Sequence, residues 1–143
     1  MSPASKPNRR RNQVANEKRG LDFEIGFFEG IIRQHPRYVE ALQILGDAYT
    51  KTGDWKKGLT VDRRLARLCP DNPLVFYNLA CTYALLHRPD PAFRALRKAV
   101  RLGYADAHWL ANDPDLADLR RNHRFQRILE ELKHGNGKST TKS

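Results

Sequence analysis

Leu42-Gln43-Ile44-Leu45-Gly46-Asp47-Ala48-Tyr49 is followed thirty-four positions later by Phe76-Tyr77-Asn78-Leu79-Ala80-Cys81-Thr82-Tyr83. Both stretches run large, large, small, aromatic at the same places. The correspondence continues outward: Gly58, Leu65 and Pro70 recur as Ala92, Ala99 and Tyr104. Self-similarity at a fixed period marks a chain built from stacked supersecondary units. Large residues at Leu42, Leu45 and Tyr49 form a stripe with helical spacing, and small ones at Gly46, Gly58, Ala80 and Ala92 let two helices approach closely. Gly53-Asp54 before Trp55 reads as a turn followed by a helix cap. Pro70-Asp71-Asn72-Pro73 stops one helix and starts the next. Helices are expected near 38–51, 55–68, 73–86 and 90–101.

These residues resemble the tetratricopeptide repeat, whose pattern is aromatic-x2-Leu-Gly-x2-Tyr, then Ala-x3-Phe, then Pro. The resemblance covers two consecutive repeats, 39–72 and 73–106. Stepping back from Asp62, Leu65 and Pro70 reaches Phe28, Ile31 and Pro36, so 21–35 reads as the second helix of a half repeat. Stepping forward, Leu110 fits, but Asp113 and Pro114 fall where a large and a small residue are required. The following Trp109-Leu110-Ala111-Asn112-Asp113-Pro114 and Phe125-Gln126-Arg127-Ile128-Leu129 are similar to the terminal segment after the last repeat of many bacterial proteins of this type. It is expected to form a cap over 107–134: a short helix after Asn112, then a helix near 123–133 that closes the core with Phe125, Ile128, Leu129 and Leu132. The fold class implied is all-α, an α-α hairpin superhelix or solenoid. Asp62 departs from the pattern, because Phe28 and Leu96 occupy the equivalent places and an unpaired buried carboxylate is costly.

The rest of the composition bounds what this array does. The 143 residues suit one domain, and 40% hydrophobic residues supply one modest core. The formal net charge is +10, yet residues 1–20 hold six Lys or Arg against one Glu, and Lys133, Lys138 and Lys142 add three more charges. Most of the basicity thus belongs to polar ends too poor in apolar residues to offset the entropy of ordering, so 1–19 and 135–143 are expected to be disordered around a helical domain at 20–134. No apolar run approaches the ~20 residues that span a bilayer, and no apolar segment follows the basic amino terminus as a secretory signal requires. Cys69 and Cys81 lack metal-ligand spacing and suit reduced thiols, which points to the cytoplasm.

No catalytic motif, phosphate-cradling glycine loop or paired histidines on one helical face occurs in the sequence, so no enzyme, cofactor or metal site is expected. Asp113-Pro114-Asp115 beside His108 reads as helix-start carboxylates rather than as a cation site.

The resemblance implies that the first helix of each hairpin lines a concave groove. Glu40, Gln43, Ile44 and Asp47, with Leu74, Tyr77, Asn78 and Cys81, are then the candidate contacts for a peptide or helix of another protein. Tyr77 and Asn78 are placed outside the core. A second candidate surface is a basic stripe on the convex side, where Arg33, Arg67 and Arg101, Arg63 with Arg97, and Arg64 with Lys98 recur at the same period. A protein-binding adaptor ranks first. Self-assembly through the open half repeat ranks second, and electrostatic binding of nucleic acid or a membrane surface ranks third.

Overall fold

The computed structural model describes residues 9–138, and every element among them is helical. The elements are α1 (Arg9–Gln34), α2 (Val39–Thr52), α3 (Trp55–Leu68), α4 (Pro73–Leu85), α5 (Pro89–Arg101), α6 (Ala107–Asn112), a 3-10 segment (Pro114–Leu119) and α7 (His123–Lys138). Helices consecutive in sequence pack on one another from α1 to α5. The 3-10 segment then returns to α4, and α7 lies against α5 and α6. No described helix is long and apolar enough to cross a membrane.

The boundaries follow from local chemistry. Asp54 accepts from the Lys57 amide at the start of α3, and Asn72 accepts from the Leu74 amide at 3.0 Å at the start of α4. Pro73 and Pro89 open α4 and α5, where a missing N–H costs nothing. Period 34 is also present in the backbone. After α2, Gly53 (φ 80°) donates to the Thr50 carbonyl and Asp54 to that of Tyr49. After α4, His87 (φ 59°) donates to Ala84 and Arg88 to Tyr83. Each donor and acceptor sits thirty-four residues from its counterpart, so two unlike sequences close two helices with one left-handed geometry.

Gly46 is where close approach is strictest: a Cβ there would lie 3.1 Å from Asp62 Oδ1 and 3.3 Å from Val61 Cγ1. At Gly58 the nearest side-chain atom would be 3.6 Å away, an ordinary contact, so that glycine sets the spacing only loosely. The core consists of two adjoining clusters. One joins Ile32 of α1 to Leu42, Leu45 and Tyr49 of α2 and Leu65 of α3. The other runs from Leu59 through Phe76, Phe93 and Leu96 to the carboxyl-terminal helices. Ala66 packs against both. Phe125 is fully buried, and Ile128, Leu129 and Leu132 join it in closing the second cluster. Arg124 fixes α7 on α5, its guanidinium 4.3 Å from the Phe93 ring centroid and its Nη1 2.9 Å from Asp90.

Three sequence expectations require correction. Residues 9–19 are not a disordered tail: they continue α1, a helix of 26 residues, back to Arg9. Arg, Asn, Gln, Ala, Glu and Lys without an internal proline propagate a helix already nucleated by the packed half, although residues 15–20 are all exposed. Likewise α7 continues past residue 134 to Lys138. The parts of the two expected tails at 1–8 and 139–143 lie outside the described residues. Finally, the short helix expected after Asn112 is present as a 3-10 helix, but it is preceded by α6, which was not expected. That helix starts at Ala107, thirty-four residues after Pro73, capped by Asp106, which accepts from the Trp109 amide at 2.9 Å. The starts of α2, α4 and α6, at Val39, Pro73 and Ala107, are thus thirty-four residues apart. Pro114 ends α6 by driving Asp113 to an extended conformation (φ −65°, ψ 118°).

Candidate functional site

The break at Asp113 builds one end of a groove of about 420 Å3. Gln43, Gly46, Asp47 and Thr50 of α2 form one wall, and Leu74, Tyr77, Asn78 and Cys81 of α4 form the other. Trp109 and the Asp113-Pro114-Asp115 turn close the far end, while Asp62 and Thr82 lie in the floor.

Of the eight candidate contacts, Gln43, Asp47, Leu74, Tyr77, Asn78 and Cys81 are brought together here, whereas Glu40 and Ile44 are exposed on α2 outside the lining. The six differ in what they leave free. Leu74 is 59% exposed, an apolar side chain without cover, and Asn78 and Gln43 are exposed beside it. Asp47 forms an exposed ion pair with Lys51 at 2.9 Å.

Tyr77 is not the free surface side chain expected from sequence: it is 4% exposed and belongs to the core. Its ring stacks on Tyr104, centroids 4.3 Å apart and planes 8° from parallel, and its hydroxyl donates to Asp113 Oδ2 at 2.5 Å. Removing it would disturb the fold together with any binding. Burial, reinforced by the Asp113 hydrogen bond, pushes its phenol well above the ordinary range. Cys81 is buried too, its thiol directed at the same carboxylate oxygen from 3.7 Å. Burial and the nearby charges of Asp113 and Asp115 hold that thiol protonated.

Asp113, read from sequence as a helix-start carboxylate, does that and more. Oδ1 accepts from the Asp115 amide at 2.9 Å, Oδ2 takes the Tyr77 hydroxyl, and the backbone carbonyl accepts from Arg120 Nη2 at 2.7 Å. Asp113, Asp115 and Cys81 each place a ligand-type atom within 4.8 Å of the others. Both Asp113 oxygens are engaged in hydrogen bonds, to the Tyr77 hydroxyl and to the Asp115 amide, and the Cys81 thiol points at Oδ2.

Asp62 finds a partner in Thr82, whose hydroxyl donates to Oδ2 at 2.6 Å. Burial dominates over that bond and raises the Asp62 carboxyl to about 6. Asp115, half-buried, is also raised, by burial first and by Asp113 second. Neither Asp62 nor Asp113 was predicted as part of the site. The period located Asp62 as an anomaly, but only the fold shows that it faces the groove.

The basic residues lie elsewhere. Arg33 on α1, Arg63 and Arg67 on α3, and Arg97 and Arg101 on α5 are exposed, while Arg64 and Lys98 are half-buried, Lys98 with its ammonium 4.5 Å from the Phe76 ring centroid. None of the seven lines the groove.

No family model matches the chain. It is 36% identical over 56 residues to a chloroplastic protein of Arabidopsis thaliana, a stretch covering 39% of this chain and 17% of that protein. The match thus spans about a sixth of the relative's length.

Proposed function

We propose that this chain is a tetratricopeptide-like solenoid acting as a protein-binding adaptor, and that it holds a segment of another protein in the groove between α2, α4 and the Asp113 turn. The observation that carries the reading is the pairing of uncovered apolar side chains, Leu74 and Trp109, with the exposed amides of Asn78 and Gln43 around one concavity. An extended peptide or a helix needs both kinds of contact, apolar ones for its side chains and polar ones for its ends or backbone. The same hydrogen-bond pattern after α2 and α4, a third helix started in register and a closing helix support the solenoid reading. A catalytic role has no residue set to rest on, and two unpaired thiols suit a reducing compartment such as the cytoplasm.

The test is site-specific photocrosslinking, with benzoylphenylalanine placed at Leu74, at Trp109 or, as a control, at Phe23. Groove binding predicts that Leu74 and Trp109 mark the same partner segment and that Leu74→Ser abolishes capture with the helical spectrum unchanged. Crosslinking from Phe23 alone would refute it.

That outcome would favour self-assembly, for which there is one specific observation. Phe23 and Phe27 on α1 are 77% and 56% exposed and stack on each other at 6.5 Å, forming an apolar face that no helix covers among the described residues. Molecular mass rising with concentration by light scattering, and lost in Phe23→Ser/Phe27→Ser, would identify it.

A further inference from the structure

The groove carries the opposite sign of charge from the chain around it. Its lining contains Asp47, Asp62, Asp113 and Asp115 and, among the described residues, no Lys, Arg or His, in a protein of formal net charge +10. Only Asp47 has an ionic partner, Lys51 at the rim. Asp62 is bonded only to the neutral Thr82; the Asp113 carboxylate takes neutral donors, while its backbone carbonyl accepts from the Arg120 guanidinium outside the groove lining.

Asp115 is half-buried and its carboxylate has no hydrogen-bond or ion-pair partner among the described residues. Burial first, and repulsion by its neighbour Asp113 second, disfavour its charged form where it stands. A second polar group is orphaned at this end: Tyr104, 7% exposed, stacks on Tyr77 with its hydroxyl buried and unpaired. A cleft with low-dielectric walls concentrates the field of such carboxylates. Uncovered apolar side chains, Leu74 and Trp109, stand directly beside them.

We infer that the groove receives a cationic segment of another protein, a stretch in which Lys or Arg alternates with apolar residues. Its positive group lies at Asp115 and Asp113, and its apolar neighbours cover Leu74 and Trp109. The inference rests on the groove reading above and adds the partner's chemistry. A guanidinium or ammonium relieves the repulsion between Asp113 and Asp115 and supplies the donors that Asp115 lacks. The overall charge of the chain makes the inference discriminating: non-specific attraction to the exposed arginines favours an acidic partner, so preference for a basic one must come from the groove.

Three fluorescein-labelled octapeptides with one frame, in which Leu and Trp alternate with Arg, with Gln or with Glu, are titrated with the full chain by fluorescence anisotropy at about 50 mM salt, where surface charge is least screened. The Arg peptide is expected to bind at least tenfold tighter than the Gln peptide, with the Glu peptide weakest. Asp47→Asn/Asp115→Asn removes most of the Arg advantage and leaves Gln-peptide affinity unchanged, while Leu74→Ser weakens both. If Arg and Gln peptides bind equally and both are lost in Leu74→Ser, the groove reading stands and the cationic inference fails. If the Glu peptide binds best and Leu74→Ser has no effect, or if none of the three binds, both fail.

Discussion

Asp62→Asn separates the cost of a buried charge from every other property of that side chain. In the folded protein the Asp62 carboxyl is raised from 3.8 to about 6, because burial outweighs the Thr82 hydrogen bond. Below about pH 3 the residue is largely protonated in both the folded and the unfolded chain and carries little charge penalty. As pH rises, the unfolded chain loses its proton first, so the folded state binds more protons and stability falls until pH passes about 6. Each pH unit of difference between the two states is worth about 1.36 kcal/mol, so this loss amounts to about 3 kcal/mol. That is a large share of the ~5–15 kcal/mol typical of a domain.

Asparagine keeps an acceptor for the Thr82 hydroxyl and introduces an amide donor whose cost does not depend on pH. The measurement is urea unfolding of both proteins from pH 4 to pH 7.5. The stability of Asp62→Asn relative to wild type should increase by about 2 to 3 kcal/mol across that interval, with most of the change between pH 4 and 6. Parallel stability profiles would show that Asp62 is ionised without penalty in the folded chain, and the account of its burial would be wrong.

Other substitutions test separate parts of the fold. Phe125→Ala, at a fully buried ring of α7, should cost about 3–5 kcal/mol by urea midpoint, whereas a near-wild-type midpoint would mean that α7 does not close the core. His87→Gly should stabilise by about 1 kcal/mol, because φ 59° strains a side chain that glycine lacks; a lower melting temperature would mean that the 2.8 Å contact of His87 with Asp118 outweighs the strain. Tyr77→Phe keeps the stack on Tyr104 and deletes the donor to Asp113, so it should cost about 1–3 kcal/mol in thermal or chemical unfolding, and an unchanged stability would remove that bond from the account.

How far the sequence could be read depended on whether a residue's role is local. Caps and proline starts act within a turn or two of the chain, so α3 occupies its expected range, α2 is shifted by one residue, and α4 and α5 each differ by one residue at one end. The amino-terminal segment was misread for the opposite reason. Its composition showed that residues 9–19 bury little, which is true of the exposed residues 15–20, but helicity there is propagated from the packed part of α1 and does not require burial.

The groove was legible along its two walls but not at its far end. Repeat register placed Gln43, Asp47, Leu74 and Asn78 together, since each follows from its own helix and from the stacking of neighbours. The far end could not be read that way, because it exists through the failure of the repeat. Pro114 prevents α6 from continuing, the freed turn folds back on α4, and Asp113, thirty-six residues from Tyr77, becomes its hydrogen-bond partner. The same event removes Tyr77 from the exposed face and converts it from a proposed ligand contact into the support on which Asp113 rests. What a regular repeat would have offered as an aromatic contact, this chain uses to hold a carboxylate at the groove's end. Half of the groove's acidic side chains, Asp113 and Asp115, therefore come from the break in the period, and a change that let α6 continue through Pro114 would remove both from the lining together.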